Sequence, residues 1–111
     1  ANNPDTALQF LEALRRQTQD SGMREVLEKR AKEVMIERDI RLLESAVQQY
    51  RTKQGHLPNR LHDLVSRGHM TQIPQEPFGG SYELDQKTGR ITSSTHPDRL
   101  KVFRLDKQDS V

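Results

Sequence analysis

Apolar and polar positions follow two rhythms: steps of three and four up to Gly55, then alternation from Ser81 onward. From Pro4 to Thr18, Leu8, Leu11 and Leu14 recur on one face with Ala7 and Phe10 beside it, the spacing of a short amphipathic helix. Pro4 suits an early helical position, and Asp5 and Thr6 suit a first turn. The polar stretch Gln19-Asp20-Ser21-Gly22 breaks the pattern. A much longer helix is predicted from about Met23 to Gln54, with Asp20 or Ser21 as its cap and Gly55 closing it. Ile36, Ile40, Leu43, Val47 and Tyr50 form a clear seam along its second half. The first half offers Met23, Val26 or Leu27, Ala31 and Val34, a weaker set slightly out of phase with the later one. Glu25 with Lys29, Glu28 with Lys32, and Glu37 with Arg41 stand at i,i+4 and mark a solvated face, each pair contributing about 0.2–0.5 kcal/mol.

After Gly55 the pattern changes. His56-Leu57-Pro58 reads as an extended connection, since a residue before proline avoids the helical region. Asn59 is then expected to cap a short helix running to Arg67, burying Leu61, Leu64 and Val65, with Gly68 ending it. Ile73 to Gly80 holds Pro74, Pro77, Gly79 and Gly80 and reads as an ordered loop. Tyr82 and Leu84 alternate with Ser81, Glu83 and Asp85, which predicts a strand with one apolar face. Gln86-Lys87-Thr88-Gly89 is its turn and Arg90 to Ser93 the returning strand. Leu100 to Leu105 is a candidate third strand, and 106–111 reads as a frayed, disordered tail. No internal repeat is visible.

The fold class expected is therefore α+β: a helical hairpin with one long helix, then a short helix and a two- or three-stranded antiparallel sheet packed on the long helix's C-terminal half. Residues 1–35 form the helical segment and 36–105 the α+β unit. Ile36, Ile40, Leu43, Val47 and Tyr50 should face Leu61, Leu64, Phe78, Tyr82, Leu84 and Ile91. A long helix of about 32 residues is about 48 Å, more than the small unit can cover. Its N-terminal half and the Leu8–Leu11–Leu14 stripe then need each other or another chain.

Composition sharpens this picture. In 111 residues, 32% are apolar and 31% charged, so the core is thin, as small domains' cores are. The 18 basic and 16 acidic side chains leave a formal charge of +2. Neither side of Gly55 holds a sign excess, so the basic footprint of a nucleic-acid binder is missing. Without cysteine there is no disulfide, thiolate nucleophile or thiolate metal site. No apolar run approaches the roughly 20 residues of a membrane span, so no membrane insertion is expected. A chain opening on Ala1 reads as one trimmed from a longer polypeptide, with any anchor or leader upstream.

Candidate chemistry is sparse. His56, His62, His69 and His96 show no i,i+4 pairing of the kind that lets two imidazoles face one ion. Ser93-Ser94-Thr95-His96 suggests a nucleophile and base, but strand neighbours point to opposite faces and no nucleophile elbow is present. Gly79-Gly80 and Gly55 build no phosphate loop; the Gly79-Gly80 pair is expected to supply positive φ that turns Phe78 and Tyr82 onto the long helix. Glu33, Glu37 and Glu44 share a helix with many arginines and read as a solvated face. No catalytic residue, cofactor or metal is expected.

The run Ala46-Val47-Gln48-Gln49-Tyr50-Arg51-Thr52-Lys53-Gln54-Gly55-His56-Leu57-Pro58 resembles the end of the long helix of pseudopilins. The subsequent Leu-x-x-Leu-Val helix, the Pro77-Phe78-Gly79-Gly80-x-Tyr82 loop and the Gly-closed hairpin resemble the major pseudopilin of type II secretion. Pro77-Phe78-Gly79-Gly80, Thr88-Gly89 and Ser93-Ser94 are also similar to the C-terminal region of bacterial tetratricopeptide-repeat proteins. On that likeness, Ala7 to Arg30 would be the remnant of a final helical repeat. Together the two likenesses imply a pseudopilin-like C-terminal unit in which Tyr50, Gly55, Pro58, Pro77, Phe78, Gly79, Gly80 and Tyr82 carry structure or interaction. The pseudopilin pattern has a strongly apolar first half of the long helix; here Arg24 to Asp39 is highly charged. Oxygen donors Asp85, Ser93, Ser94 and Asp98 do not reproduce that family's calcium loop.

The expected function is therefore non-catalytic protein–protein interaction or assembly, as the C-terminal part of a tetratricopeptide-like, periplasmic or envelope-associated protein. The alternative is a soluble pseudopilin-like subunit of a type II secretion or pilus system. The partner expected is a protein, which includes a homodimer through the exposed helical face.

Overall fold

A computed structural model describes residues 3–98, and in it capping residues decide where each helix starts. Asn3, in extended backbone, accepts the Asp5 N–H on its side chain and opens α1, Pro4–Gln17. Asp20 does the same for α2, Ser21–Gln54, accepting from the N–H groups of Gly22 and Met23. The helix therefore starts two residues before the predicted Met23 and includes Gly22, because the cap leads it in. Gly55, at φ 81°, ends α2 and donates its N–H to the Arg51 carbonyl. With 34 residues α2 is about 51 Å long, matching the molecule's longest extent of 51 Å.

The remaining elements are short. α3 covers His62–Ser66, β1 Tyr82–Leu84 and β2 Ile91–Ser93. The strands pair antiparallel with Tyr82 opposite Ser93, Glu83 opposite Thr92 and Leu84 opposite Ile91. Asn59 does not cap α3 as the sequence suggested. Asp63 inside the helix reaches back instead, its carboxylate accepting from the N–H groups of Asn59 and Arg60. This is the reach-back arm of a capping box, a first-turn carboxylate accepting N–H groups that precede the helix, while Leu61 at the N-cap position offers no side-chain acceptor. The candidate third strand and the tail lie outside the described residues.

One core holds the α+β unit. Ile36, Ile40, Leu43, Ala46, Val47 and Tyr50 of α2 are buried with Leu64, Tyr82 and Ile91, and Leu57, Leu61, Met70, Ile73, Phe78 and Leu84 pack against them. The expected facing residues meet.

α1 takes the other side of α2. Val34 is 2% exposed yet lies outside that core. By the 3.6-residue period, Leu27, Ala31 and Val34 sit opposite Ile36, Ile40, Leu43 and Val47. The slip in phase between the two seams is thus a change of side: α1 covers one face and the C-terminal unit covers the other. The three residues Thr18–Asp20 return the chain antiparallel, and Arg15 reaches Glu28 across the hairpin at 3.9 Å. At 14 residues α1 is about 21 Å long, so it lines less than half of α2.

Candidate interaction surface

The residues singled out from sequence all act inside the C-terminal unit. Tyr50 is buried, with the rings of His56 and His69 set edge-on at 5.8 and 5.7 Å. Pro58 is fully buried after the turn that Gly55 makes. Tyr82 is buried against α2 and its hydroxyl donates to Asp39 at 2.7 Å. Burial raises its pKa above the usual phenol range, and the hydrogen bond to Asp39 adds to this.

Glu76, which the sequence did not mark, organises the Pro77-Phe78-Gly79-Gly80 loop. Its carboxylate is 3% exposed and accepts from the Phe78 N–H at 2.6 Å, the Gly80 N–H at 3.2 Å and the Ser93 hydroxyl at 2.8 Å. The Thr95 hydroxyl donates to it as well. Burial alone would raise its pKa, but the Thr95 and Ser93 hydroxyls and the two backbone N–H groups outweigh that and hold it below the ordinary carboxylate value. A carboxylate with its lone pairs filled is stable when ionised in such a place. Of the two glycines only Gly79 has positive φ, 87°. Gly80 is required by crowding: a Cβ there would press on Ser94 Oγ and Thr95 Cγ2.

The same cluster decides the chemistry of Ser93-Ser94-Thr95-His96. Thr95 and His96 do meet, Oγ1 to Nδ1 at 2.9 Å. The Thr95 hydroxyl donates to Glu76, and its contact with the imidazole ties His96 into the same cluster. His96 stacks on Phe78 at 4.5 Å between centroids, and its Nε2 lies 3.8 Å from Glu33. Lys32 stands over the same Phe78 ring at 5.6 Å. The arrangement fastens the loop to the middle of α2.

Among the described residues no group of three or more His, Asp or Glu side chains converges as a metal would need. No described helix is long and apolar enough to cross a membrane. Two shallow depressions of about 290 and 460 Å³ adjoin along α2, the first against Leu42, Ala46 and Met70, the second against Gln48, Thr52 and Lys53, with Ser45, Gln49 and His69 shared. Neither gathers a set of polar groups aimed at one point.

The feature left over is the helical hairpin. Phe10 is 64% exposed, Met23 49% and Val26 61%. Leu8, Leu11, Leu14, Leu27 and Ala31, the seam between α1 and α2, are only half-buried. Sequence reasoning anticipated an uncovered stripe but left Val26 and Leu27 as alternatives; Leu27 turns inward and Val26 outward. On α1, Thr6, Phe10, Ala13 and Gln17 repeat at four, three and four residues, and all are exposed, so one uncharged stripe runs the length of the helix. Arg15 and Glu28 bridge one edge of the seam. The winding of two antiparallel right-handed helices puts the Phe10 stripe, Met23 and Val26 together along the other edge.

The class these features define is a small α+β domain carrying a helical hairpin with exposed apolar residues. Compared with known protein families, curated proteins and solved structures, the chain finds no match.

Proposed function

We propose that this protein is a non-catalytic interaction module that joins an assembly through its helical hairpin, with the α+β unit closing the end of the joint. The observation carrying this is the exposure of Phe10, Met23 and Val26 along one edge of a hairpin whose own seam stays half-covered. A two-helix layer buries its apolar stripe only when a further element packs on it. The likeness to the C-terminal region of tetratricopeptide-repeat proteins supports the same reading, in which helical pairs stack and the α+β unit ends the stack in an envelope-associated protein.

A soluble, pilus-like subunit that polymerises laterally is the second reading. It is favoured by the way the loop and strand pair seat on the C-terminal half of α2. The charged run from Arg24 to Asp39 weighs against it, because a filament core wants that half apolar.

The chain has no cysteine, which makes thiol labelling a direct test. Phe10→Cys, Val26→Cys and, as a control on the exposed face of β1, Glu83→Cys are labelled both purified at low concentration and inside source cells. Protection of positions 10 and 26 in cells, with 83 reactive in both settings, is expected. Equal reactivity of all three in cells would overturn the proposal. Labelling of position 83 by a membrane-impermeant reagent in intact cells reports an envelope location.

A further inference from the structure

We propose that the apolar edge of the hairpin is covered by this chain's own segment 99–111, which lies outside the described residues, folded back along the first half of α2. This deepens the interaction-module reading and rests on it for one point: an assembly partner reaches the edge by displacing the chain's own cover.

The place where the described chain ends is the first support. Met23, Val26, Arg30 and Glu33 recur at steps of three, four and three, so they share one face of α2. Arg30 and Glu33 pair at 3.2 Å, and the pair neutralises the charge on that face. His96 sits at its end: Nε2 is 3.8 Å from Glu33, and the ring stacks on Phe78. Pro97 and Asp98 follow, both exposed. The chain thus leaves the α+β unit at the end of the very face that carries Met23 and Val26.

Composition and reach are the second support. Leu100, Val102, Phe103 and Leu105 put four apolar side chains into six residues, whereas 106–110 is wholly polar. Val26 lies seven residues and Met23 ten residues before Glu33, about 10 and 15 Å along the helix axis. Residues 100–105 stand four to nine positions beyond His96, where an extended chain reaches up to about 13 to 30 Å. That interval brackets both apolar positions.

The same residues are a candidate third strand by sequence, but the position beside β2 is occupied. The Ile91 N–H that would pair there donates to Glu44 of α2 at 2.9 Å. A segment tethered this closely also faces the edge at an effective concentration in the millimolar range, ahead of a free partner. With only four apolar side chains to bury, the cover stays displaceable.

Disulfide trapping in the full 111-residue chain, which has no cysteine, tests this. Val26→Cys is combined with Arg104→Cys, which keeps all four apolar residues, and compared with Glu83→Cys combined with Arg104→Cys. Position 83 lies opposite Thr92 on the strand pair, so a segment searching at random reaches it too. Mild oxidation of the purified chain at about 5 µM should link positions 26 and 104 within one chain at least about tenfold faster than 83 and 104. In Val26→Cys alone, adding Phe103→Asp should speed thiol labelling about fivefold, because the thiol reacts only while uncovered. Equal linking of the two pairs, links between chains only, or labelling indifferent to Phe103→Asp would overturn the proposal. The interaction-module reading survives such a failure if positions 10 and 26 are more protected in cells than in the purified chain, and a different protein is then the cover.

Discussion

The two halves of α2 are one continuous helix and live under different conditions. From Ile36 to Tyr50, Ile36, Ile40, Leu43, Val47 and Tyr50 are each 5% exposed or less. From Ser21 to Ala31 no side chain is buried, and the neighbouring α1 buries only Pro4. The difference comes from the partner that each half receives. The second half is lidded by a loop and a strand pair held by non-local hydrogen bonds, and by α3, which buries Leu64. The first half has a single 14-residue partner joined by a short turn. Stability is concentrated where the chain folds back on itself from far away in sequence, and the exposed apolar edge sits where it does not.

Paired truncations break or sharpen that contrast most strongly. Leu43→Ala, at a side chain with 0% exposure, should lower stability by about 2–5 kcal/mol. Leu27→Ala, half-buried under α1, should lower it by about 1 kcal/mol, with burial of apolar area as the only loss. Urea denaturation of both measures the difference, and equal losses would erase the distinction between the halves.

Glu76→Gln comes next. It keeps the shape but replaces a carboxylate oxygen with an amide, so at least one donor at the buried site loses its acceptor, for about 1–3 kcal/mol. The pH dependence separates this from plain packing loss. A carboxyl whose folded pKa is depressed contributes stability that is fully present above its unfolded value, here 4.5. That contribution disappears as pH falls through the lowered folded value. The wild-type chain should therefore lose stability below about pH 4.5 more steeply than Glu76→Gln, judged by thermal midpoints across the acid range. Parallel acid limbs would mean that Glu76 is not the ionised centre of the loop.

Much of the fold was legible in the sequence because it rests on period and punctuation. The seam from Ile36 to Tyr50, the glycine at 55, the alternation of Tyr82 and Leu84 and the turn ending at Gly89 each arise from local spacing. The two-sidedness of α2 was not legible: a slip in phase reads as weakness until a second helix is known to occupy the opposite side. Glu76 was missed for a related reason. A lone glutamate reads as solvated, and its partners Ser93 and Thr95 lie 17 and 19 residues away. The nearest signal was the crowding of Pro, Gly, Ser and Thr around it. Asn59 looked like a cap because side-chain type alone does not say that Asp63 reaches back first. For the surface, the sequence placed Phe10 beside the Leu8–Leu11–Leu14 face; that it stands out with Thr6 and Ala13, and that Val26 rather than Leu27 turns outward, required knowing where α1 sits.

Native-state hydrogen exchange, followed residue by residue, tests the central claim most directly. Amides from Ile36 to Tyr50 should exchange only through global opening, and those of residues 8–31 through smaller local openings. Uniform protection along α2 would contradict the account.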